Sequence, residues 1–141
     1  MSAQPQPGPG GRFERPGPLM LTVEDSTETV VLRMAGDLDL GGVGQVMYAV
    51  DRLDVDRTSL LVLDLENVTF LDLAALKTIM RANDHCKDHG IHATVIAPRG
   101  LASRVFTLTR AHRDLDLVEP EYRRHIPSAA GLRDLRNQRL G

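Results

Sequence analysis

A run of aliphatic residues that stops at one aspartate and restarts with helical spacing limits what this chain can fold into. Ser59-Leu60-Leu61-Val62-Leu63-Asp64-Leu65 is nearly continuous in apolar side chains, the pattern of a strand covered on both faces. Beyond Val68-Thr69-Phe70-Leu71, Asp72 stands alone at a junction, and Ala75, Ile79, Ala82 and Cys86 then recur at the spacing of an amphipathic helix. The Asp72 carboxylate can accept from the orphan amides of a first helical turn, so it is expected to be the N-cap. Leu71 and Leu76 fall at N′ and N4, where a hydrophobic staple fixes the entry angle of the chain.

The flanking segments extend this strand-to-helix unit. Leu19–Glu24 and Thr29–Ala35 read as two strands joined by a turn at Asp25-Ser26, hence a hairpin, with Gly36-Asp37-Leu38-Asp39 ending the second. Val43, Val46, Met47, Val50 and Leu53 mark a helix. The helix after Asp72 should stop at Gly90, a good C′ residue. His92–Ala97 reads as a strand ended by Pro98, Leu101, Val105, Phe106 and Leu108 as a further helix, and Leu115–Val118 as a last strand. The alternation predicts an α/β domain: a mixed, mostly parallel sheet of four to five strands with helices packed against it, its parallel strands joined by right-handed crossovers.

Domain boundaries follow from composition. Residues 1–18 form a Pro/Gly/Gln-rich tail that cannot bury enough surface to offset its ordering entropy, so it is expected to be disordered. Residues 19–120 form the domain. Residues 121–141 are an Arg-rich tail, in which Leu132, Leu135 and Arg136 could share one helical face.

Charge and cysteine usage narrow the function classes. The formal net charge of −2 gives no electrostatic footprint for nucleic acid or an anionic membrane. Cys86 is the single cysteine, so no internal disulfide can form. No run approaches the roughly 18 apolar residues of a membrane span, and the first residues lack the apolar core of a signal peptide. A cytoplasmic location is the default expectation.

Several constellations carry chemistry on paper. On the helix after Asp72, Leu73, Lys77, Met80, Arg81 and Asp84 lie opposite the apolar stripe. Leu73 and Met80 are therefore two large apolar side chains on a charged face, either covered by a neighbouring loop or part of a partner-binding patch. Asp37 and Asp39 are a carboxylate pair; such pairs can do acid/base work, but here they are expected to end a strand and cap the next helix. Gly41-Gly42-Val43-Gly44 lacks the Gly-Lys-Ser/Thr ending of a P-loop and reads as a loose helix start. His85 and His89 sit four apart, yet with Cys86 on the core stripe and His92 on a strand they match no standard zinc pattern. No metal and no cofactor is expected, nor a nucleophile–base pair, so catalysis is not.

Thr69-Phe70-Leu71-Asp72, with Leu76, resembles the Thr-Phe-Met-Asp-Ser-Ser-Gly-Leu consensus of the STAS family, the domain of bacterial anti-sigma-factor antagonists. Leu32-Arg33-Met34-Ala35-Gly36-Asp37-Leu38-Asp39 is similar to the family's Gly-Glu-Leu-Asp element, and Leu101 to Thr109 to its late helix. Order and spacing together extend the resemblance over Leu19 to Pro120.

The resemblance implies a regulatory switch and its loss. In the family the first serine after the aspartate is phosphorylated by a partner kinase; here Leu73 occupies that position, Ala74 replaces the second serine and Ala75 the glycine. A phosphate at that helix start would be tolerated by free amides and the helix dipole while placing a dianion where the partner docks. Leucine cannot accept it. Thr69 is the nearby hydroxyl, but its expected role is to close the strand-to-helix loop.

By resemblance, the chain is an anti-sigma-factor antagonist-like binding protein. Its partner is an anti-sigma factor with a kinase-like ATPase fold, held around Asp37, Asp39, Thr69, Asp72, Leu73, Ala74, Lys77 and Met80. Capture of that partner would release a sigma factor, without direct contact to nucleic acid or membrane, and a homodimer is left open. A scaffold or decoy subunit of a signalling assembly, and an accessory subunit of a transport system, are the other readings.

Overall fold

The computed structural model describes residues 18–126, the side chains of Arg124 and His125 aside. The face carrying Leu132, Leu135 and Arg136, and nearly all of the 1–18 tail, lie outside the described residues. The elements run β1 (Met20–Asp25), β2 (Thr29–Leu38), α1 (Val43–Asp51), β3 (Leu60–Leu71), α2 (Leu73–Asp88), β4 (His92–Ile96), α3 (Arg104–Leu108) and β5 (Asp116–Val118). Short 3₁₀ turns cover Gly100–Ser103, Ala111–Arg113 and Pro120–His125.

The strands form one sheet in the order β1-β2-β3-β4-β5. β1 pairs with β2 antiparallel, and every other pairing is parallel. A sheet built in chain order by right-handed crossovers must place its crossover helices on one face. On that face Leu32, Met34, Leu61, Leu63, Leu65, Ala93 and Val95 meet Val46, Val50, Ala75, Ile79, Ala82, Cys86 and Phe106 in one core cluster. Leu60, Val62 and Ile96 point to the opposite face, where Val31, Val118 and Ile126 pack against them.

The helix boundaries follow local chemistry. Asp72 is extended and its Oδ1 accepts from the Ala75 amide at 2.9 Å, so it is the N-cap of α2. Leu71 and Leu76 are both buried, as a staple requires. At the other end Gly90 has φ +72°, the Ile91 amide donates to the Cys86 carbonyl at 2.8 Å and the Gly90 amide to that of Lys87 at 3.2 Å. These are the two bonds of a Schellman cap, and glycine takes the left-handed position without Cβ strain.

Four expectations need correction. β2 does end within the Gly36–Asp39 run, but it runs three residues past Ala35, to Leu38, pairing Asp37 with Phe70 and Leu38 with Leu71 on β3. Asp37 and Asp39 do not cap α1, whose N-cap is Gly42 without a side-chain bond; instead Asp39 Oδ1 accepts from the Gly41 amide at 3.0 Å. A side chain at Gly42 would press against Leu19, with a Cβ 3.1 Å from it. The late helix is shorter than its spacing suggests: Phe106 is buried, but Leu101 and Leu108 are exposed. The fourth correction concerns Thr69. No loop separates β3 from the helix cap, and Thr69 makes no side-chain hydrogen bond among the described residues; it lies where β3 carries an extra residue.

Candidate functional site

The site predicted around Asp72 lies at the C-terminal ends of β2 and β3, where α2 begins. Parallel sheets present ligand-facing backbone at such ends. The pairing of Asp37 with Phe70 and of Leu38 with Leu71 brings the Gly36–Asp39 segment beside the helix start. The Asp72 amide faces the Leu38 carbonyl at 3.4 Å across the same seam. Asp37, Asp39, Asp72, Leu73 and Ala74, far apart in two runs of sequence, are thereby gathered at one end of the sheet.

Two irregularities in β3 decide which side chains this end displays. The β2–β3 register slips by one residue between Arg33/Ala35 and again between Gly36/Asp37, each time with the extra residue on β3. A bulge of this kind re-aims the side chains beyond it. Val68 points into the core, so simple alternation would send Phe70 inward too; the second bulge, at Thr69, turns Phe70 outward and Leu71 inward. Phe70 is 48% exposed, Leu73 55% and Leu40 73%. Phe70 and Leu40 are the residues that sequence reasoning missed. The bulge that exposes Phe70 has no local signature, and Leu40 lies in a loop where periodicity is silent.

Beside them, Leu40, Val43, Ala74, Lys77, Thr78, Met80 and Arg81 line a shallow groove of about 470 Å³ between the start of α1 and α2. Its floor is apolar and its rim carries two exposed cations, Lys77 and Arg81. Met80 is half-buried and packs against the core while lining this groove, whereas Leu73 projects freely. The two side chains are thus not equivalent members of one exposed stripe. Thr78 has its hydroxyl tied to the Ala74 carbonyl at 3.0 Å.

Electrostatics separates the two acidic residues of the neighbouring segment. Burial, and then the charge of Asp39, push the Asp37 carboxyl above its ordinary value. Its Oδ1 is buried without a hydrogen-bond partner among the described residues. Such a group is poor at holding charge.

The remaining candidates fall elsewhere. Cys86 is fully buried and its thiol is pushed up to about 11 by burial. The His89 ring is bonded to the His85 carbonyl, and His92 pairs with Asp116 at 2.7 Å on the other face of the sheet. Among the described residues no group of three or more metal-ligating side chains converges. No described helix is long and apolar enough to cross a membrane. A cavity of about 640 Å³ between β1 and α1 shares no lining residue with the groove beside Leu73.

Known proteins share this architecture. The STAS domain family model matches residues 20–124. A crystal structure of an anti-sigma factor antagonist from Mycobacterium paratuberculosis is 24% identical, with 72% of this chain and 86% of that chain covered and a TM-score of 0.63. The anti-sigma factor antagonist SpoIIAA in its unphosphorylated form is 16% identical over 80% of this chain and 98% of that one, with a TM-score of 0.67. The phosphorylated form of the Bacillus cell fate determinant SpoIIAA is likewise similar, at 16% identity over 76% and 96% of the two chains and a TM-score of 0.60. No curated protein matches this chain. With the family model covering most of its length, the chain belongs to the STAS domain family.

Proposed function

We propose that this STAS domain is an anti-sigma-factor antagonist-like regulator that binds an anti-sigma factor of kinase-like ATPase fold and acts by binding rather than catalysis. Its partner surface is the end of the sheet built from Asp37, Asp39, Thr69, Asp72, Leu73, Ala74, Lys77 and Met80, with Leu40 and Phe70 added. The observation that carries this reading is the exposure of Leu73 at the first position of α2, beside exposed Phe70. Large apolar side chains clustered at one end of an α/β sheet with a polar surround are the composition of a docking patch. The structural likeness to two antagonists supports the choice of partner class.

The phospho-switch of the family is absent at this helix start. The first three helical positions are Leu73, Ala74 and Ala75, none of which has an acceptor oxygen. Binding is therefore constitutive with respect to that modification. The test is to titrate candidate kinase-type anti-sigma factors into the protein by calorimetry, with and without prior incubation with ATP. Equal affinity in both arms and no gain in intact mass is the expected result. Phosphate on Thr69 with loss of affinity would show that the switch has moved, and no binding to any kinase-type partner would favour a scaffold or transport role.

A further inference from the structure

The two edges of the sheet are unlike. β5 is three residues long and is soon followed by Pro120, which keeps that edge short. β1 is six residues long and pairs with β2 in unbroken register, from Met20 on Ala35 to Asp25 on Val30. Among the described residues its outer side meets no strand. An edge strand presents a row of unpaired N–H and C=O groups, which proteins usually blunt with a lysine, a proline, a bulge or an inward charge. Met20-Leu21-Thr22-Val23 has none of these, and the acids Glu24 and Asp25 stand at the end of the strand. Side chains alternate across a sheet. Leu21 packs on the core and Val23 lines the cavity beside α1, so both lie on the helix face, with Met20, Thr22 and Glu24 on the other. Met20 and Val23 are both exposed.

We propose that a second copy of this chain pairs with this edge, β1 on β1 and antiparallel, about a two-fold axis at Thr22, so that the two sheets become one. Three properties favour this occupant and this register. First, paired side chains must share a face of the sheet. The two-fold axis therefore passes through a residue rather than between two, and axes at Thr22 and Val23 engage the most of the strand. Second, the side chains and charges match only for the axis at Thr22. It sets Thr22 on the partner's Thr22, Leu21 on the partner's Val23 and Met20 on the partner's Glu24. Aliphatic and threonine pairs stabilise such a seam, and the acids of the two copies fall at opposite ends of it instead of facing each other. An axis at Val23 would set Leu21 against the partner's Asp25. Third, the helix face beside the seam carries exposed Tyr48 on α1, with the Arg52 guanidinium over its ring at 5.1 Å. Tyrosine and arginine are enriched at the energetic centres of interfaces, and a two-fold axis presents the same patch from both copies. The edge shares no residue with the surface around Leu73, and the pairing does not depend on the proposed partner.

The test uses the full chain. In sedimentation velocity the mass should move towards twice the 15.5 kDa of one chain as concentration rises. Val23→Lys changes an exposed side chain, so circular dichroism should be unchanged, while the mass should stay at that of one chain because a cation now faces the partner's Leu21. Oxidation of Thr22→Cys should give a covalent dimer, since Thr22 faces its own copy. Val23→Cys, which faces its own copy only in the rival register, should remain largely uncrosslinked, and buried Cys86 takes no part. The mass of one chain at every concentration, a dimer that survives Val23→Lys, or cross-linking of Val23→Cys in preference to Thr22→Cys would each overturn the proposal.

Discussion

A single nitrogen of Arg123, Nη2, donates to both carboxylate oxygens of Asp64 across 59 positions of sequence. The Asp64 side chain is 5% exposed, and among the described residues its other side-chain hydrogen bond is from the Glu66 amide at 3.1 Å. Removing the guanidinium strands a buried carboxylate. Arg123→Ala should therefore lower unfolding stability by about 1–3 kcal/mol, an estimate reduced because the Arg123 side chain is about a third exposed. A denaturant midpoint within error of the parent would show that water replaces the arginine.

The same network sets the response to acid. Hydrogen bonds from Arg99 and then Arg123 hold the Glu66 carboxyl below its ordinary value of 4.5, against the opposing effect of burial. Between that depressed value and 4.5 the unfolded chain binds the proton and the folded chain does not. The stabilisation is therefore fully present above about 4.5 and is lost as pH falls through the folded value. Stability measured from pH 6 downward should decline in the parent below about 4.5, and less steeply in Arg99→Ala/Arg123→Ala. Asp37 has the opposite sign. Its raised value means that the ionised form works against the fold above that value, so Asp37→Asn should stabilise the protein at pH 7 and lose that advantage in acid.

At the helix start, Asp72→Ala removes the side-chain acceptor for the Ala75 amide and should cost about 1 kcal/mol. At the helix end, Gly90→Ala forces a Cβ into φ +72° with open space around it, so the penalty is backbone strain alone, about 1 kcal/mol. Thermal melts of the two single variants and the double variant check both values. The effects should add, because the two ends share no partner.

For the partner surface, Leu73→Glu and Phe70→Ala should each weaken binding of an anti-sigma factor by about tenfold or more, with Leu73→Glu the worse because it buries an unpaired charge. Circular dichroism should be unchanged, since both side chains are about half exposed. Unaltered affinity in both variants would move the interface off this end of the sheet.

A further variant asks whether the scaffold can still accept the modification its helix start lacks. Leu73→Ser/Ala74→Ser/Ala75→Gly should fold, since the Asp72 cap uses the residue 75 amide rather than its side chain. The glycine should cost about 1 kcal/mol. Weak phosphorylation by a kinase-type anti-sigma factor is expected, read by intact mass. A folded variant that binds such a kinase yet gains no phosphate would show that the docking surface has diverged together with the acceptor.

By itself the sequence determined the parts written in adjacent residues. The aliphatic run of β3, the Asp72 cap, the leucine staple and the Gly90 termination are each local patterns, because a cap or a helical stripe is satisfied by neighbours three or four positions away. Tertiary structure alone decided the rest. β2 runs on through Gly36 because β3 lies alongside to accept its ladder, and the bulge at Thr69 that turns Phe70 to the surface exists only in the β2–β3 register. Leu40 and Val43 meet Met80 only because α1 and α2 share one face of the sheet. The opposite face is closed by Arg123 on Asp64, a long-range ion pair that no periodicity announces, since its partners have no neighbours in sequence that need each other.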